Sequence, residues 1–552
     1  MKTDTPAVRM PIEGMTCDDC ERHVTTALEG AGALNVRASF GRDEARFSMP
    51  ATVGSAKLAA AVEGAGDSPG PVESIEPASP PFARDTEPAD YDLAIVGSGG
   101  AAFAAAIKAR DCGARVVMVE RGTLGGTCVN IGCVPSKTLL RGSELYHQAA
   151  HHPFVGLETS AGAVDMGAFV GQKDELIQRL RQEKYVDLIR EYDWELVRGE
   201  ARFEDARTLR VGDRAIRAGK VIVATGARPA VPPIPGLDGV EYLTSTSALD
   251  LTRVPAHLIV IGSGYIALEL GSVFRRLGSR VTLLQRGPRV LKEYDTEIAA
   301  AARGAFEEDG LVFIPGVQYE RIAKVNGGVA VHVTLDGRAQ VVEGDALLIA
   351  TGRTPNTETL ALDRAGVEIG ARGEVRIDQF GRTSNPDVYA AGDVTLSPQF
   401  VYVAAYQGAL AAENALLGNR RRIDLSVVPG VTFTNPAIAT VGLTEEQARA
   451  AGHEVKTSIL PAHAVPRALV NRDTRGVFKI VADAKNDRVL GVHVVAENAG
   501  DVIYAGVLAI KFKATVEDLV DTFAPYLTMA EGLKLAAQTF GRDVSKLSCC
   551  AA

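Results

Sequence analysis

The chain has 552 residues, of which 46% are hydrophobic and 23% charged, and it carries a net charge of -9 at pH 7. This length exceeds what one hydrophobic core usually organises, so we expect several domains of about 150 residues each. The acidic charge and the scattered Lys and Arg residues disfavour nucleic-acid binding, and the lack of a signal core or of an apolar run of about 18 residues favours a cytoplasmic protein without a membrane span.

Residues 1–70 alternate strand-like and helix-like segments, beginning in the order β-α-β-β-α, which predicts a ferredoxin-like βαββαβ sandwich. The loop after the first strand reads GMTCDDC and contains Cys17 and Cys20. It resembles the GMTCxxC loop of heavy-metal-associated domains, and the resemblance implies that a soft cation binds between these two thiolates. A thioredoxin-like redox pair is the alternative, but the element order fits it poorly.

Shifts in composition divide the rest of the chain into a linker and a mixed α/β and α+β assembly. The linker is rich in Pro, Ser and Glu and has too few apolar residues to fold. Two strand–glycine turn–helix units follow it, and the last part of the chain reads as a separate sheet with helices. The predicted segments are the linker 71–90, the nucleotide-binding domains 91–245 and 246–358, a completion of the first of these in 359–428, and a C-terminal domain in 429–552.

The first glycine turn is the GSGGAA segment, which includes Gly97, Gly99 and Ala102. Its glycines allow a tight turn and a close approach, so that a pyrophosphate can lie at the helix N-terminus. The next strand ends about twenty residues later at Glu120, where a carboxylate can bind ribose hydroxyls. The alternative interpretation is a plain tight turn followed by a solvated glutamate.

The second glycine turn includes Gly262, Gly264 and Tyr265. Its following strand ends in Gln285 and Arg286 instead of an acid. Because an arginine can pair with a 2′-phosphate that a carboxylate would repel, NADPH is favoured over NADH. The alternative is that Arg286 is only a solvated loop residue.

The segment GGTCVNIGCVPSK after the first unit places Cys128 and Cys133 five positions apart. A helix that begins near Cys128 would lower the pKa of a thiol through its positive end and favour the thiolate. Structural zinc is the rival interpretation, but two thiols without nearby His or Cys partners fall short of four ligands. The pair is therefore predicted to be redox-active. Cys112 stands alone in a helical stretch and is expected to be a small buried apolar residue.

This segment, with GSGGAA before it and ATGARP, GYIALE, TGRTPN and AAGDV after it, resembles the pyridine nucleotide-disulfide oxidoreductases. The match runs from about Tyr91 to the C-terminus. The resemblance implies FAD on the first nucleotide-binding domain, NADPH on the second, and a homodimer built through residues 429–552 with active sites shared across the interface. It also implies that Cys133 lies next to the flavin and that Cys128 is the interchange thiol.

The resemblance further implies roles for residues near the cofactors. Lys137 and Glu269 would form an ion pair near the flavin N5, and Tyr265 would gate the nicotinamide pocket. The implied FAD-binding residues are Gly97, Gly99, Ala102, Glu120, Gly126, Thr127, Lys137 and Asp393. The implied NADPH-binding residues are Gly262, Gly264, Tyr265 and Arg286.

The C-terminal region departs from the disulfide-reducing members of this family. Those members carry a His-Pro-Thr segment ending in Glu, whose histidine moves protons for thiol leaving groups. Here the stretch reads APYLTMAE, and Tyr526 occupies the histidine position. A phenol with a pKa of about 10 is a poor proton shuttle at neutral pH, so a substrate other than a disulfide is expected.

The chain ends near the adjacent cysteines Cys549 and Cys550. Neighbouring Cα atoms are about 3.8 Å apart, which is below the usual disulfide range, so the pair is expected to remain two thiols suited to a soft ion. An accidental exposed pair on a loose terminus is the alternative.

Dithiols at both ends of a flavin reductase that lacks the shuttling histidine resemble the branch of this family that reduces mercuric ions. That resemblance implies Hg(II), free or bound to thiols, as the substrate and Tyr185 and Tyr526 as residues beside the inner metal site. We expect a relay from Cys17 and Cys20 to the partner subunit's terminal pair and then to the central pair, with transient contact to metal-delivery proteins. A lipoamide or glutathione-type disulfide reductase and a metal-sequestering chaperone remain as alternatives.

Overall fold

The computed structural model describes residues 7–16, 18–40, 43–74 and 89–543. The chain forms two compact units, which span residues 1–83 and 84–552. Within the described ranges, no helix is both long and apolar enough to cross a bilayer.

The N-terminal unit is an antiparallel sheet with two helices. Its strands are Ala7–Glu13 (β1), Leu34–Ser39 (β2), Glu44–Ser48 (β3), Ser68–Pro69 (β4) and Glu73–Ser74 (β5). Its helices are Asp18–Gly30 (α1) and Ser55–Gly64 (α2). The strand order is β2-β3-β1-β4, and β5 also pairs with β1.

The core of this unit follows the periods of its strands and helices. Val8, Met10 and Ile12 of β1 are buried at every second position, because alternate strand residues face one side of a sheet. Val24 and Leu28 of α1 lie one turn apart and are fully buried in the same cluster.

The sheet of the N-terminal unit continues past the predicted domain end at residue 70. Glu73 and Ser74 of β5 pair with Arg9 and Val8 of β1. The proposed linker start at residue 71 is therefore too early, because hydrogen bonding to the edge of β1 holds these residues in the sheet despite their polar composition. Residues 75–88 of the predicted linker lie outside the described residues.

The second unit contains most of the chain. Its strands are Tyr91–Val96 (β6), Val116–Glu120 (β7), Glu195–Arg198 (β8), Ala201–Phe203 (β9), Thr208–Val211 (β10), Arg214–Val223 (β11), Ala227–Pro229 (β12), His257–Ile261 (β13), Arg280–Gln285 (β14), Leu311–Pro315 (β15), Gln318–Val325 (β16), Gly328–Leu335 (β17), Arg338–Gly344 (β18), Ala346–Ile349 (β19), Arg353–Pro355 (β20), Val388–Ala390 (β21), Gly430–Thr432 (β22), Ala437–Gly442 (β23), Val455–Pro461 (β24), Val477–Asp483 (β25) and Val489–Ala496 (β26).

The helices of the second unit include one π-helical turn, Gln182–Val186, between two α-helices. The α-helices are Gly100–Asp111 (α3), Gly126–Ile131 (α4), Cys133–His151 (α5), Met166–Arg181 (α6), Asp187–Glu191 (α7), Tyr265–Arg276 (α8), Thr296–Glu308 (α9), Val401–Leu417 (α10), Glu445–Ala450 (α11), Pro466–Asn471 (α12), Ala499–Lys511 (α13), Val516–Asp521 (α14) and Glu531–Gln538 (α15).

Two parallel sheets form the nucleotide-binding parts of this unit. In the first, β8, β7, β6, β11 and β21 lie side by side and run parallel. In the second, the order β15-β14-β13-β19 is again parallel. The first strand of each βα unit, β6 or β13, has a neighbouring strand on both sides. Interior strands of a parallel sheet are buried on both faces, so their sequences are near-continuous apolar runs. Strand β21, from the 359–428 segment, pairs with β11 of the first sheet.

The C-terminal part is an antiparallel sheet with the order β22-β23-β26-β25-β24. Every residue of β25 is buried, and α13 and α15 contribute Ile503 and Leu533 to the same apolar cluster. This agrees with the predicted change from glycine turns to a sheet with helices near residue 429.

Candidate active site

A cavity of about 450 Å³ lies in the second unit and is lined by the first glycine turn and by the first residues of α8. Both nucleotide-binding parts and the central cysteine segment contribute to its wall. The predicted site residues that line it are Gly97, Gly99, Glu120, Gly126, Thr127, Cys128, Cys133, Lys137, Tyr265, Glu269 and Asp393. The fold thus brings residues almost 300 positions apart in the chain to one cavity.

The first glycine turn lines this cavity, and its backbone packs closely against neighbouring backbone segments. Gly97 has a φ of +110°, and a Cβ there would lie 2.4 Å from the carbonyl oxygen of Ala224. A Cβ at Gly126 would lie 2.5 Å from the Cα of Gly99. Only glycine allows these contacts, which place the N-terminus of α3 at the cavity. The backbone N–H groups there suit a phosphate. Ala102 is buried within α3 and does not line the cavity.

Glu120 is fixed at the carboxyl end of β7 by two hydrogen bonds. Ser98 Oγ donates to Glu120 Oε2 at 2.6 Å, and the backbone N–H of Gly122 donates to Oε1 at 2.5 Å. Ser98 Oγ also accepts a hydrogen bond from the Gly125 N–H at 3.2 Å. Ser98 therefore links the predicted ribose-binding acid to the loop before α4. Ser98 lies inside the glycine motif, but the motif alone does not indicate its contact with Glu120.

The two central cysteines lie at the starts of consecutive helices. Cys128 is in the first turn of α4, Cys133 is the first residue of α5, and both are thiols. The Cys128 thiol donates a hydrogen bond to the Cys133 sulfur, which lowers the pKa of Cys133 to about 7 and raises the pKa of Cys128. The charge of Lys137 also lowers the pKa of Cys133. Both effects favour the thiolate form of Cys133.

Lys137 and Glu269 form an ion pair at the wall of the cavity. Lys137 Nζ lies 2.8 Å from Glu269 Oε2, and the Lys137 ammonium lies 4.6 Å from the centre of the Phe433 ring. The Phe433 N–H donates to Glu269 Oε1 at 2.9 Å. Lys137 lies one helical turn after Cys133 in α5. The ion pair therefore holds the Lys137 ammonium on the face of α5 that carries Cys133.

The cavity wall contains buried polar groups that suit a large polar cofactor such as FAD. Gln399 Nε2 and Arg353 Nε are buried and donate no hydrogen bond to any described residue. Arg353 Nε lies 3.4 Å from Asp393 Oδ2, and burial raises the pKa of Asp393. The Gln399 amide has no such neighbour, and a buried donor without an acceptor costs free energy that an oxygen or nitrogen atom of a bound ligand would recover. The sequence motif TGRTPN contains Arg353, but its contact with Asp393 could not be read from the motif.

The second glycine turn repeats the geometry of the first. Gly262 has a φ of +124°, and a Cβ there would lie 2.3 Å from the carbonyl oxygen of Ala350. Gly264 precedes α8, and Tyr265 is its first residue. Arg286 is exposed directly after the carboxyl end of β14. Gly262, Gly264 and Arg286 lie outside the lining of the cavity, whereas Tyr265 is part of it.

The two predicted tyrosines differ in their relation to the thiols. Tyr185 lies in the π-helical turn, and its pKa is raised by burial and by the nearby Cys128 and Cys133 sulfurs. Tyr526 is 55% exposed and does not line the cavity of its own chain. Tyr185 also lies outside the cavity lining, but of these two tyrosines it is the one whose pKa the thiols raise.

The outer cysteine pairs are only partly described. Cys20 lies in the first turn of α1, with its sulfur 3.9 Å from Thr16 Oγ1. Cys17, Cys549 and Cys550 lie outside the described residues. Among the residues that are described, no group of three or more His, Cys, Asp or Glu side chains forms a metal site. Cys112 is buried, as expected.

Comparison with known proteins identifies two family domains. Residues 91–408 match the family described as pyridine nucleotide-disulphide oxidoreductase, and residues 428–537 match the dimerisation domain of that family. Mercuric reductases from Staphylococcus aureus and Lysinibacillus sphaericus are 57% and 54% identical to this chain, each over 98% of it and 99% of the relative. A mercuric reductase from Shigella flexneri is 41% identical over 98% of the chain and 99% of its own length.

Solved structures show the same fold. A HOCl-induced flavoprotein disulfide reductase from Escherichia coli superposes with a TM-score of 0.73 at 31% identity, covering 81% of this chain and 99% of that one. The Cu(II) complex of the same reductase also gives a TM-score of 0.73, at 30% identity and with the same coverage.

Proposed function

The chain belongs to the pyridine nucleotide-disulphide oxidoreductases and, within them, to the mercuric reductases, so it reduces Hg(II) to elemental mercury with FAD and NADPH; on this premise we propose that Cys128 and Cys133 hold the ion while it is reduced. The reaction converts Hg(II) and NADPH into Hg(0), NADP⁺ and one proton, and the metal gains two electrons. Bound FAD supplies the two-electron relay between the nicotinamide and the ion.

The observation that carries this proposal is the pair of hydrogen-bonded thiols in the cavity wall. Hg(II) is a soft cation that prefers sulfur ligands, and two thiolates balance its charge. Because the pKa of Cys133 is about 7, a large fraction of this residue is thiolate at neutral pH and can bind the ion first. Cys128 then releases its proton as the second ligand, since metal binding displaces thiol protons. The neutral product has little affinity for thiolate and leaves.

The neighbouring charges keep this thiol pair reactive. Lys137 stabilises the Cys133 thiolate, and Glu269 holds the Lys137 ammonium in place at 2.8 Å. We expect this ion pair to lie beside the flavin N5. Removal of the Lys137 charge would raise the pKa of Cys133 and reduce the fraction of thiolate at neutral pH.

The glycine turns and the buried polar groups of the cavity support a proposal for the cofactor contacts. On the first nucleotide-binding part, we propose that FAD is held by Gly97, Gly99, Glu120, Gly126, Thr127, Lys137 and Asp393, which line the cavity, whereas the buried Ala102 contributes only to the packing of α3. The close backbone packing at Gly97 and Gly126 supports this assignment. On the second part, we propose that NADPH contacts Gly262, Gly264, Tyr265 and Arg286.

The dimerisation domain of residues 428–537 supports a homodimer. Because Tyr526 is exposed and does not line the cavity of its own chain, we propose that it completes the cavity of the partner subunit. Tyr185 would then face the bound ion from the same chain as the thiols, and Tyr526 from the other chain. Neither phenol would act as a proton shuttle, since thiolate exchange on a metal needs none.

We propose that the outer cysteines deliver the ion in the cytoplasm. Hg(II) would pass from Cys17 and Cys20 to the terminal thiols Cys549 and Cys550 of the partner subunit and then to the central pair. Transient contact with metal-delivery proteins would load the first pair. Each step exchanges one thiolate ligand for another, so the ion is never free.

Oxidation of NADPH by the full-length protein tests the proposal. The rate should rise on addition of Hg(II) in the presence of excess thiol and should stay at the background rate with oxidised glutathione. Cys128→Ala should abolish the Hg(II)-dependent rate, whereas Cys112→Ala, a change at a buried cysteine that does not line the cavity, should retain it. A rate with oxidised glutathione that exceeds the rate with Hg(II) would favour the disulfide-reductase alternative instead.

A further inference from the structure

The segment that carries Tyr185 departs from α-helical geometry. Helix α6 ends at Arg181, and the π-helical turn Gln182–Val186 follows it without a break and leads into α7. Such turns insert extra backbone into a helix and are frequent at functional sites. The turn therefore sets the direction in which Tyr185 leaves the helix.

Tyr185 packs against the loop that leads into α4. Its ring meets Phe103 edge to face, with the ring centres 4.7 Å apart. A Cβ at Gly125 would lie 3.3 Å from Tyr185 Cγ and 2.7 Å from Val129 Cγ1, and the φ of Gly125 is +98°. The absence of a side chain at Gly125 thus allows the Tyr185 ring to cover the turn directly before Cys128.

Arg181 and Asn130 join this π-helical segment to the cysteine-bearing helix. Arg181 Nε donates a hydrogen bond to Asn130 Oδ1 at 2.7 Å. Asn130 Nδ2 donates to the carbonyl oxygens of Leu124 at 2.9 Å and Gly126 at 2.8 Å. The side-chain amide of Asn130 thus makes three hydrogen bonds, and Asn130 lies two residues after Cys128 in the chain. Because the donor on one side is charged, that hydrogen bond is stronger than a neutral one.

We infer that Arg181 and Asn130 are positioning residues that hold Tyr185 against Cys128, so that the phenol and the thiol face the same bound ion. The inference rests on the proposed role of the thiol pair and of Tyr185. Arg181 itself lies outside the cavity lining, so it acts through Asn130. Loss of this link would leave the cofactor sites intact and would separate Tyr185 from the thiols.

The first test compares Arg181→Gln with Arg179→Gln, a change at an exposed position of the same helix. Arg181→Gln should lower kcat for Hg(II) by about tenfold or more, because small displacements of reacting groups cost that much. The KM for NADPH and the NADPH-dependent reduction of ferricyanide, which needs the flavin but not the thiols, should stay at wild-type values. Arg179→Gln should match the wild type in all assays.

The second test adds Tyr185→Phe to both backgrounds. Alone, Tyr185→Phe should lower kcat, whereas in the Arg181→Gln background it should cause little further loss, because the displaced ring has already lost its contact. The inference would be overturned if the double variant lost activity by the product of the two single losses. It would also be overturned if Arg181→Gln or Tyr185→Phe alone kept wild-type activity. If the unmodified protein showed no Hg(II)-dependent turnover, the proposed function would fail first, and the inference would fail with it.

Discussion

The reactivity of Cys133 comes from two neighbouring groups, one in the preceding helix α4 and one a helical turn later in α5. The Cys128 thiol donates a hydrogen bond to it, and Lys137, four residues later in α5, adds a positive charge. Both effects favour the thiolate. The three residues stand in one short sequence segment, GGTCVNIGCVPSK. It could not show which thiol is the more acidic, because that depends on the direction of one hydrogen bond.

The rate of alkylation by iodoacetamide should report this acidity. The pKa of Cys133 is lowered to about 7, so its alkylation rate should rise as the pH increases through about 7 and should level off above that pH. Lys137→Met should move the midpoint to higher pH, because the charge that favours the thiolate is lost. Peptide mass spectrometry would separate Cys133 from the other cysteines.

A change at an exposed position of the same helix provides the control for this profile. Arg141 pairs with Glu144 on the surface of α5, with 64% of its side chain exposed, so Arg141→Met should leave the midpoint unchanged. A midpoint near pH 9 in the wild type, or no shift in Lys137→Met, would contradict the assigned origin of the acidity.

Other site residues could not be predicted because their partners are distant in sequence. Ser98 reaches Glu120, and Arg181 reaches Asn130, which is 51 residues away. The Nε2 group of Gln399, which has no hydrogen-bond acceptor among the described residues, can be recognised only from the folded cavity. Each of these contacts depends on how separate elements pack, which periodicity and spacing do not specify.

At the scale of elements, the two glycine turns were predicted well because their physics is local. An apolar strand, a turn that requires positive φ and a helix follow one another within about 20 residues in each case. The π-helical turn after α6 and the pairing of β5 with β1 were missed. Both features depend on tertiary contacts. The π-helical turn packs Tyr185 against Gly125, and β5 pairs with an edge of β1 that lies more than 60 residues earlier in the chain.

Helices α9 and α11 meet strand β25 around a buried lysine. Lys479 on β25 is fully buried and lies 2.9 Å from Glu297, 3.2 Å from Glu445 and 3.4 Å from Asp295. This ammonium joins the second nucleotide-binding part to the C-terminal sheet. Its removal would leave three carboxylates close together without their shared cation.

Lys479→Met should therefore destabilise the protein by about 3–5 kcal/mol, the usual cost of breaking a buried ion pair from one side. Differential scanning calorimetry would show this as a lower unfolding temperature of the C-terminal part. The matched change is Lys456→Met on the neighbouring strand β24, where the pair with Asp487 is partly exposed and is worth about 0–1 kcal/mol. Equal unfolding temperatures for the two variants would exclude a structural role for the Lys479 cluster.

At the scale of the whole molecule, the C-terminal domain presents apolar side chains that its own chain leaves exposed. Tyr504, Leu508 and Phe512 follow one face of α13, and Phe523, which is 97% exposed, precedes the segment of Tyr526. Exposed apolar patches of this kind mark interaction surfaces. A second copy of the chain would cover such a surface, as expected for a dimerisation domain.

Mixed dimers test whether Tyr526 acts in the cavity of the partner subunit. Cys128→Ala and Tyr526→Phe homodimers should both be impaired in turnover of Hg(II). If the tyrosine acts across the interface, a heterodimer of the two contains one cavity with both residues intact and should recover up to about half of the wild-type activity. If Tyr526 acts within its own chain, the heterodimer has no fully intact cavity, and mixing should bring no recovery.

The most direct test of the central claim is the stoichiometry of mercury vapour to NADPH under anaerobic conditions. The full-length protein with Hg(II) and excess thiol should release one Hg(0) for each NADPH oxidised, and a Cys128→Ala, Cys133→Ala variant that still reduces ferricyanide should release none. Consumption of NADPH without mercury vapour, or unchanged release of vapour from the double variant, would contradict reduction of the ion at this thiol pair.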